Sequence, residues 1–256
     1  MKRLLIIGIG VGNPEYVTIQ AVSALNQVDV FFVIDKGASK EKLVKLRKEI
    51  IERYATHRRF RIVDVELPER IKNDFPYVST VEELNRNKQQ IFERIISEEL
   101  VDGQCGGFLV WGDPSLYDST MRIMDAISRT GRHGFEYEVI PGITSVQALA
   151  AKHRVALNSI GQSVQITNGR GILEGFPNNV ESVVVMLDTQ NAFSKIADAD
   201  LDIYWGAYVG TPDEILVAGK LSEVVGDIER IRADARERTG WIMDTYLLKK
   251  RADADE

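Results

Sequence analysis

Two sharp turns, each placed after an apolar segment, carry residue types that could bind a ligand. In the first, residues 106–110 lead through Trp111 into Gly112-Asp113-Pro114. Glycine lets the backbone approach a ligand closely, and proline makes the turn stiff. Because ligands in open α/β sheets bind at the carboxyl ends of the strands, this pattern predicts a ligand-binding loop. A tight turn that binds nothing is the alternative that so short a motif leaves open.

The second turn, Pro141-Gly142-Ile143-Thr144-Ser145, follows a predicted strand at residues 135–140 and opens a predicted helix at 146–152. Thr144 or Ser145 is well placed to cap that helix. A hydroxyl at a helix N-terminus can also donate a hydrogen bond to a bound carboxylate or ribose. The second turn is therefore a further candidate for ligand binding.

Asp35 is a third candidate, because it follows a predicted buried strand at residues 30–34. The chain opens with a strand, a glycine-rich loop, a helix and a strand, an order that also suits a dinucleotide-binding fold. The G-x-G-x-x-G fingerprint fails, however, because Asn13 stands where the third glycine should follow Gly8 and Gly10. A nicotinamide nucleotide with Asp35 on its ribose therefore stays only as an alternative.

The elements expected to position these turns alternate between strand and helix in the first part of the chain. Apolar β-branched runs predict strands, and apolar residues at helical spacing predict helices. Thr18 is expected to cap the first helix, and Asp118 or Ser119 the helix after the first turn. The charged helix 40–54 is expected to turn its polar face to solvent, and 67–80 is expected to be a long loop. The predicted strands are 4–7, 30–34, 60–65, 106–110 and 135–140, and the later helices are 81–100 and 117–129.

Beyond about residue 155 the pattern changes to more frequent strands and shorter helices. Ser222 is predicted to cap a long charged helix that ends near Arg238, and a last strand at 241–248 is predicted to close the second sheet. The change of pattern predicts two α/β lobes, residues 1–142 and 143–256, with a ligand-binding cleft between them. The other strands of the second lobe are predicted at 162–167, 182–187, 201–209 and 215–221.

The composition narrows the class of protein. A chain of 256 residues that is 44% hydrophobic can form one large or two medium domains with a real core. A net charge of −6 argues against binding to nucleic acid or to an anionic membrane. The single cysteine, Cys105, excludes a disulfide framework, and the three histidines lack metal-ligand spacing. No apolar run is long enough to span a membrane. We therefore expect a cytoplasmic protein without a metal.

Four stretches in fixed order, spread over essentially the whole chain, resemble the tetrapyrrole methylases. They are GIGVGNPEYVTIQA near the start, WGDPSLYDS, PGITS, and GAYVGTPDEILVAGKL near the end. The family's opening usually has a proline where this chain has Val11 and an aspartate where it has Asn13. The resemblance implies the two-lobed α/β fold of the class III methyltransferases, which use S-adenosylmethionine (SAM) and release S-adenosylhomocysteine.

The resemblance further implies that SAM lies folded between the two lobes, that no metal takes part, and that the protein is a homodimer. The implied substrate is a tetrapyrrole of the precorrin type. Methyl transfer from a sulfonium to a ring carbon requires the protein chiefly to align the two reactants and to exclude water. The residues that would bind SAM, from their positions in the family's motifs, are Val11, Trp111, Gly112, Asp113, Leu116, Thr144, Ser145, Met186, Ala207, Tyr208 and Val209.

Related family members also suggest a catalytic role for Asp35, as the base that activates water if the substrate loses an acetyl group. An aspartate that only caps or turns the chain is the alternative. A precorrin carries many carboxylates while this chain is acidic, so positive charge must be concentrated locally. Lys36 and Arg170 are predicted to bind these carboxylates. Plain surface exposure is the more usual role of any single charged side chain, including these two. Further basic candidates are Arg58, Arg59, Arg61, Arg122 and Arg154.

Two other functions remain open at this stage. The first is a relative that acts on another tetrapyrrole, or on the protein or RNA targets of distant family members, although a pI near 5.3 weighs against RNA. The second is a SAM- or tetrapyrrole-binding protein without catalytic activity. The product S-adenosylhomocysteine would separate an enzyme from such a binding protein.

Overall fold

A computed structural model of the protein divides into two compact units, Met1–Thr144 (unit 1) and Ser145–Glu256 (unit 2). The structure describes residues 1–35, 41–56, 59–67, 77–197 and 200–251, with side chains for all of these except 77–82. None of the helices in these ranges is both long and apolar enough to cross a membrane.

Unit 1 is a parallel five-stranded sheet with strand order β3-β2-β4-β1-β5. All carboxyl ends of its strands therefore lie along one edge, where ligands bind in sheets of this kind. The mixed α/β class is as predicted. The elements in chain order are β1 (Lys2–Gly8), α1 (Ile19–Leu25), β2 (Val30–Asp35), α2 (Glu41–Tyr54), β3 (Arg61–Glu66), α3 (Tyr77–Glu99), β4 (Cys105–Val110), α4 (Thr120–Arg129) and β5 (Phe135–Ile140).

The sheet of unit 1 is covered on both faces. Alternate side chains of a strand point to opposite faces. Accordingly Leu4 and Ile6 of β1 pack with residues of α3 and α4, while Leu5 and Ile7 pack with residues of α1 and α2. This two-sided burial explains why the three inner strands, β1, β2 and β4, are almost continuously apolar, whereas in the edge strands β3 and β5 apolar residues are interspersed with charged ones.

Unit 2 is a mixed five-stranded sheet with strand order β6-β7-β10-β8-β9, in which only β6 and β7 pair in parallel. The prediction that the last strand closes the sheet is wrong, because β10 lies in its middle between β7 and β8. The elements of unit 2 in chain order are α5 (Ser145–His153), β6 (Val164–Asn168), β7 (Ser182–Met186), β8 (Leu201–Ala207), β9 (Ile215–Lys220), α6 (Leu221–Thr239) and β10 (Asp244–Lys250).

Three element ends differ from the prediction. Helix α4 starts at Thr120 rather than near residue 117, because Tyr117 has a left-handed backbone with φ 53° that no α-helix can contain. Ser222 does not cap α6, which begins one residue earlier, with Lys220 at the cap position. The predicted loop 67–80 lies partly outside the described residues, and its last part belongs to α3.

Candidate functional site

The loops at the carboxyl ends of β1, β4 and β5 are tied together by their backbones. Gly10 and Gly112 exchange two hydrogen bonds, with N–O distances of 3.3 and 2.9 Å. The loop after β5 approaches so closely that a Cβ atom on Gly142 would lie 2.1 Å from the carbonyl oxygen of Gly112. Gly142 must therefore be glycine for the loops to meet as they do.

Asp113 links the two predicted turns through its carboxylate. Its Oδ2 accepts a hydrogen bond from the Gly142 N–H at 2.8 Å, and its Oδ1 accepts from the Ser115 N–H at 2.7 Å and from the Ser115 hydroxyl. Burial acts to raise the pKa of Asp113, but these hydrogen bonds outweigh it and the pKa is lowered. Asp113 therefore fixes the shape of the edge as an ionised side chain.

Three predicted SAM-binding residues of unit 1 come together at this edge. An ideal Cβ on Gly112 would lie 3.6 Å from the Val11 side chain and 3.7 Å from the Cα of Thr144. Val11 and Thr144 are buried, while Trp111 and Leu116 on the same loop are half-buried. The edge thus combines the apolar side chain of Val11, a backbone without a side chain at Gly112 and the hydroxyl of Thr144, a mixture of apolar and polar groups that is typical of small-molecule sites.

Asp35, the predicted base, is the last residue of β2 and so ends at the same edge of the sheet. It is half-buried, and its Cα is in register with Glu66 at the end of β3. Its carbonyl oxygen accepts a hydrogen bond from the Leu67 N–H at 3.1 Å. Lys36, the next residue, lies outside the described residues.

Arg47 of α2 is a residue of this edge that the sequence prediction missed. Its helix was expected to turn its polar face to solvent, but Arg47 is only 6% exposed. Its Nε donates to the Leu109 carbonyl oxygen at 3.2 Å, and its Nη1 donates to the Leu43 carbonyl oxygen at 3.1 Å. Burial lowers the pKa of Arg47 to about 10, against the opposing effect of Asp118.

In unit 2, three further predicted residues lie around the start of β10. The Ser145 hydroxyl oxygen accepts a hydrogen bond from the Thr245 hydroxyl at 3.1 Å. Thr245 is in register with Met186 at the end of β7, and the preceding residue of β10 is in register with Ala207 at the end of β8. Ser145, Met186 and Ala207 are thus brought to one edge of the second sheet, with Thr245 as a central residue that no sequence motif indicated.

The turn after β7 is held by a buried polar network. Leu187 is 60% exposed and has a left-handed backbone with φ 54°, which is unusual for a branched residue. The next residue, Asp188, accepts hydrogen bonds from the Ala192 N–H at 2.7 Å and the Tyr246 hydroxyl at 2.8 Å. Arg232 donates to the carbonyl oxygen of Asp188. The network therefore fixes the strained turn that follows Met186.

Tyr208 and Val209 follow the end of β8 and are both buried. Tyr208 also has a left-handed backbone, with φ 51°, which ends the strand two residues before the predicted end. Its hydroxyl donates to the Trp241 carbonyl oxygen at 2.6 Å inside the unit. The side chain is therefore occupied, and so is the backbone of Tyr208, whose N–H donates to the Met243 carbonyl oxygen at 2.9 Å and whose carbonyl oxygen accepts from the Thr211 N–H at 2.9 Å.

The predicted basic residues are dispersed. Arg170 is exposed in a short 3-10 helix, Gly169–Ile172, whose start is held by Asn168. Arg61 begins β3, at the amino end of the strand, and pairs with Glu99 at 2.5 Å. Arg58 lies outside the described residues. Within the described ranges, His, Cys, Asp and Glu side chains form no group of three that could hold a metal ion.

The sequence matches the family model of the Tetrapyrrole (Corrin/Porphyrin) Methylases over residues 3–225. The chain therefore belongs to the tetrapyrrole methylases, which are SAM-dependent C-methyltransferases. Within that family it is 48% identical, over all of its 256 residues and 98% of the relative, to precorrin-6A synthase [deacetylating] from a Sinorhizobium species.

Solved structures agree with this family. A putative cobalamin synthesis related protein (CobF) from Corynebacterium diphtheriae superimposes with a TM-score of 0.82 at 34% identity, covering 98% of this chain and 99% of that one. Uroporphyrin-III C-methyltransferase from Thermus thermophilus, crystallised with S-adenosylhomocysteine, superimposes with a TM-score of 0.56 at 18% identity, covering 96% and 92%. The second likeness shows a shared fold. The nicotinamide alternative has no support among these relatives.

Proposed function

We propose that this protein methylates C1 of precorrin-5, with SAM as the methyl donor and loss of the ring's acetyl group as acetate, and so forms precorrin-6A. The observation that carries the proposal is the full-length 48% identity to a precorrin-6A synthase. The tied loops of unit 1, with a close-packed backbone at the carboxyl edge, support a ligand site there. A homodimer in the cytoplasm is part of the same proposal.

We propose that SAM is bound by the residues predicted from the family's motifs. In unit 1, Gly112 has no side chain to block the ligand, and the apolar side chain of Val11 lies beside it. These two residues would contact an apolar part of the ligand, and the hydroxyl of Thr144 would contact a polar part. SAM would supply an already activated methyl group, so the protein's contribution is alignment and exclusion of water. The other proposed SAM-binding residues are Trp111, Asp113, Leu116, Ser145, Met186, Ala207, Tyr208 and Val209.

We propose that Asp35 is the base for the loss of the acetyl group. In this step a water oxygen bonds to the acetyl carbonyl carbon, the bond from that carbon to the ring breaks, and the electron pair remains with the ring carbon. Asp35 would take one proton of the water, the second would be released when the departing acetic acid ionises to acetate, and the electron pair on the ring carbon would bond to a proton or to the methyl group of SAM. Its position at the carboxyl end of β2 supports this role.

The overall reaction can be tested by supplying SAM and precorrin-5 and measuring S-adenosylhomocysteine and acetate. Both products in equal amounts are expected. S-adenosylhomocysteine without acetate would indicate a methylase that acts on another precorrin. Bound SAM with neither product would indicate a binding protein without catalytic activity, and would overturn the proposal.

Asp35→Asn tests the proposed base. We expect acetate release to fall by at least about a hundredfold, a typical contribution of general base catalysis, while S-adenosylhomocysteine binding is retained. Glu66→Gln is the matched control, because Glu66 is a carboxylate in register on the neighbouring strand. An equal loss of rate in both variants would contradict a specific role for Asp35.

Arg170→Ala tests the proposed carboxylate-binding residue. The tetrapyrrole KM should rise, while the affinity for SAM should stay within about threefold, a change of less than ~1 kcal/mol. Lys36→Ala is expected to act in the same way. An equal loss of affinity for both ligands would contradict the assignment.

A further inference from the structure

Arg47 is a buried cation that forms no direct ion pair in the described part of the chain, although the charge of Asp118 acts on it and opposes the lowering of its pKa. Its guanidinium donates to two backbone carbonyls, those of Leu109 and Leu43, and forms no ion pair with a described carboxylate. Buried charges in proteins are usually paired, because an unpaired charge loses its hydration without replacement. Two neutral acceptors compensate an arginine only in part, so burial here requires a further reason.

One edge of the guanidinium remains available for hydrogen bonding. Nε and Nη1 have partners, whereas Nη2 donates to none of the described residues. Every fully enclosed side-chain nitrogen in the described structure has a hydrogen-bond partner. Nη2 therefore retains some contact with solvent and can donate to a ligand that arrives from outside.

The guanidinium lies at the functional edge of unit 1. Its acceptor, Leu109, precedes Gly112 by three residues at the carboxyl end of β4. The register between β2 and β4 ends at Phe32 and Phe108, one residue before that acceptor. Arg47 thus lies where the two strands part, between the end that carries Asp35 and the loop that carries Gly112.

We propose that Arg47 binds a carboxylate of a ligand at this edge. The inference rests on the proposed function, in which both ligands carry carboxylates: SAM on its methionine part, and the precorrin on its ring substituents. An arginine fork is well suited to a carboxylate because it can donate two N–H groups in one plane. In a chain of net charge −6, a buried cation also supplies the local positive charge that a polycarboxylate needs.

The test measures the Kd values of S-adenosylhomocysteine and 5′-methylthioadenosine, which lacks the carboxylate, together with kcat and KM for precorrin-5. The variants are Arg47→Met, which keeps the length of the side chain, and Arg47→Lys, which keeps the charge but not the fork. Arg53→Met is the matched control, since Arg53 lies on the same helix and is exposed. Thermal unfolding is recorded for each variant.

Either of two results would support the proposal, and each would identify which ligand supplies the carboxylate. If SAM supplies the carboxylate, Arg47→Met weakens S-adenosylhomocysteine ten- to a hundredfold and leaves 5′-methylthioadenosine unchanged. If the precorrin supplies it, both nucleoside Kd values stay the same and KM for precorrin-5 rises tenfold or more at unchanged kcat. Arg47→Lys should lose less in either case, and it carries the test if Arg47→Met does not fold.

Two results overturn the proposal. One is that neither Kd nor KM changes beyond the Arg53→Met control. The other is that S-adenosylhomocysteine and 5′-methylthioadenosine weaken equally, which a merely structural role would produce. A wild-type protein that makes no S-adenosylhomocysteine from precorrin-5 would refute the proposed function instead, and the comparison of the two nucleosides would still report on Arg47.

Discussion

The described part of each unit buries one arginine, and the two arginines are compensated in different ways. Arg232 of unit 2 is 5% exposed and pairs with Asp244 at 2.8 Å, with further hydrogen bonds to Asn191 and to the carbonyl of Asp188. Arg47 of unit 1 is 6% exposed and has only backbone carbonyls as acceptors. Equal burial therefore does not imply an equal role.

The difference indicates which arginine serves the fold and which serves a ligand. Arg232 has its counter-charge within its own unit, where Asp244 also accepts from the Trp205 indole N–H at 3.0 Å. Burial raises the pKa of Asp244, while Arg232 and Trp205 oppose that shift. Arg47 makes no such ion pair among the described residues, because Asp118 acts on it only through its charge and not through a hydrogen bond. We interpret the first as structural and the second as prepared for an anion from outside.

Arg232→Met should have the largest effect on stability. It leaves the carboxylate of Asp244 buried and unpaired, a change that typically costs about 3–5 kcal/mol. Urea unfolding would measure the loss. Arg236→Met, on the exposed face of the same helix, should stay within about 0.5 kcal/mol of the wild type. A loss below about 1 kcal/mol for Arg232→Met would remove the contrast between the two units.

Gly142→Ala should have the second-largest effect on stability, because the edge of unit 1 is held by backbone packing rather than by an ion pair. The added Cβ would lie 2.1 Å from the Gly112 carbonyl oxygen, so the two loops must separate. We expect a loss of about 1–3 kcal/mol in unfolding free energy and a severe loss of S-adenosylhomocysteine affinity. Gly134→Ala, which meets no atom within 4 Å, is the control. If Gly142→Ala kept its affinity for S-adenosylhomocysteine, the contact between the loops would not be required for ligand binding.

Arg47→Met should change stability little, in direct contrast to Arg232→Met. The Leu109 carbonyl loses a donor, which costs about 1 kcal/mol, but the burial of an incompletely compensated charge is relieved. We therefore expect the unfolding free energy to stay within about 1 kcal/mol of the wild type. A loss as large as that of Arg232→Met would mean that Arg47 is also a structural residue.

Much of the fold could be predicted from sequence because it depends on local patterns. Apolar runs such as residues 4–7 and 106–110 mark strands that are buried on both faces, and Thr18 caps α1 as expected, accepting from the Ala21 N–H at 3.1 Å. The place of β10 in the middle of its sheet could not be predicted in this way. It depends on pairing with β7 and β8, which are distant in sequence, and its own pattern is the same at an edge or in the centre.

The candidate site was predictable at its turns but not at its buried charges. Gly112 and Gly142 stand in turns whose residue types indicate close backbone approach. Arg47 looks like an ordinary polar residue of an amphipathic helix, because helical periodicity treats every arginine as exposed. Its burial depends on where β2 and β4 part, which only the folded sheet defines. Thr245 was missed because its place beside Met186 and Ser145 likewise depends on the folded sheet, in which β10 pairs with β7.

The smallest expected effect concerns Asp113, a charged residue at the functional edge of unit 1 that, unlike Arg47, accepts direct hydrogen bonds from its neighbours. Hydrogen bonds from Ser115 and Gly142 lower its pKa in spite of burial, so the folded protein favours the ionised form. The resulting stabilisation is present above the unfolded pKa, about 3.9, and is lost as the pH falls through the lower folded pKa.

Asp113→Asn should therefore flatten the loss of stability with falling pH below about 5. Unfolding measured from pH 6 to pH 3 would show it, with Asp102→Asn, an exposed aspartate, as the control. If Asp113→Asn kept the full acid slope, its hydrogen bonds to the second turn would contribute nothing, and the packing of Gly142 alone would hold this edge.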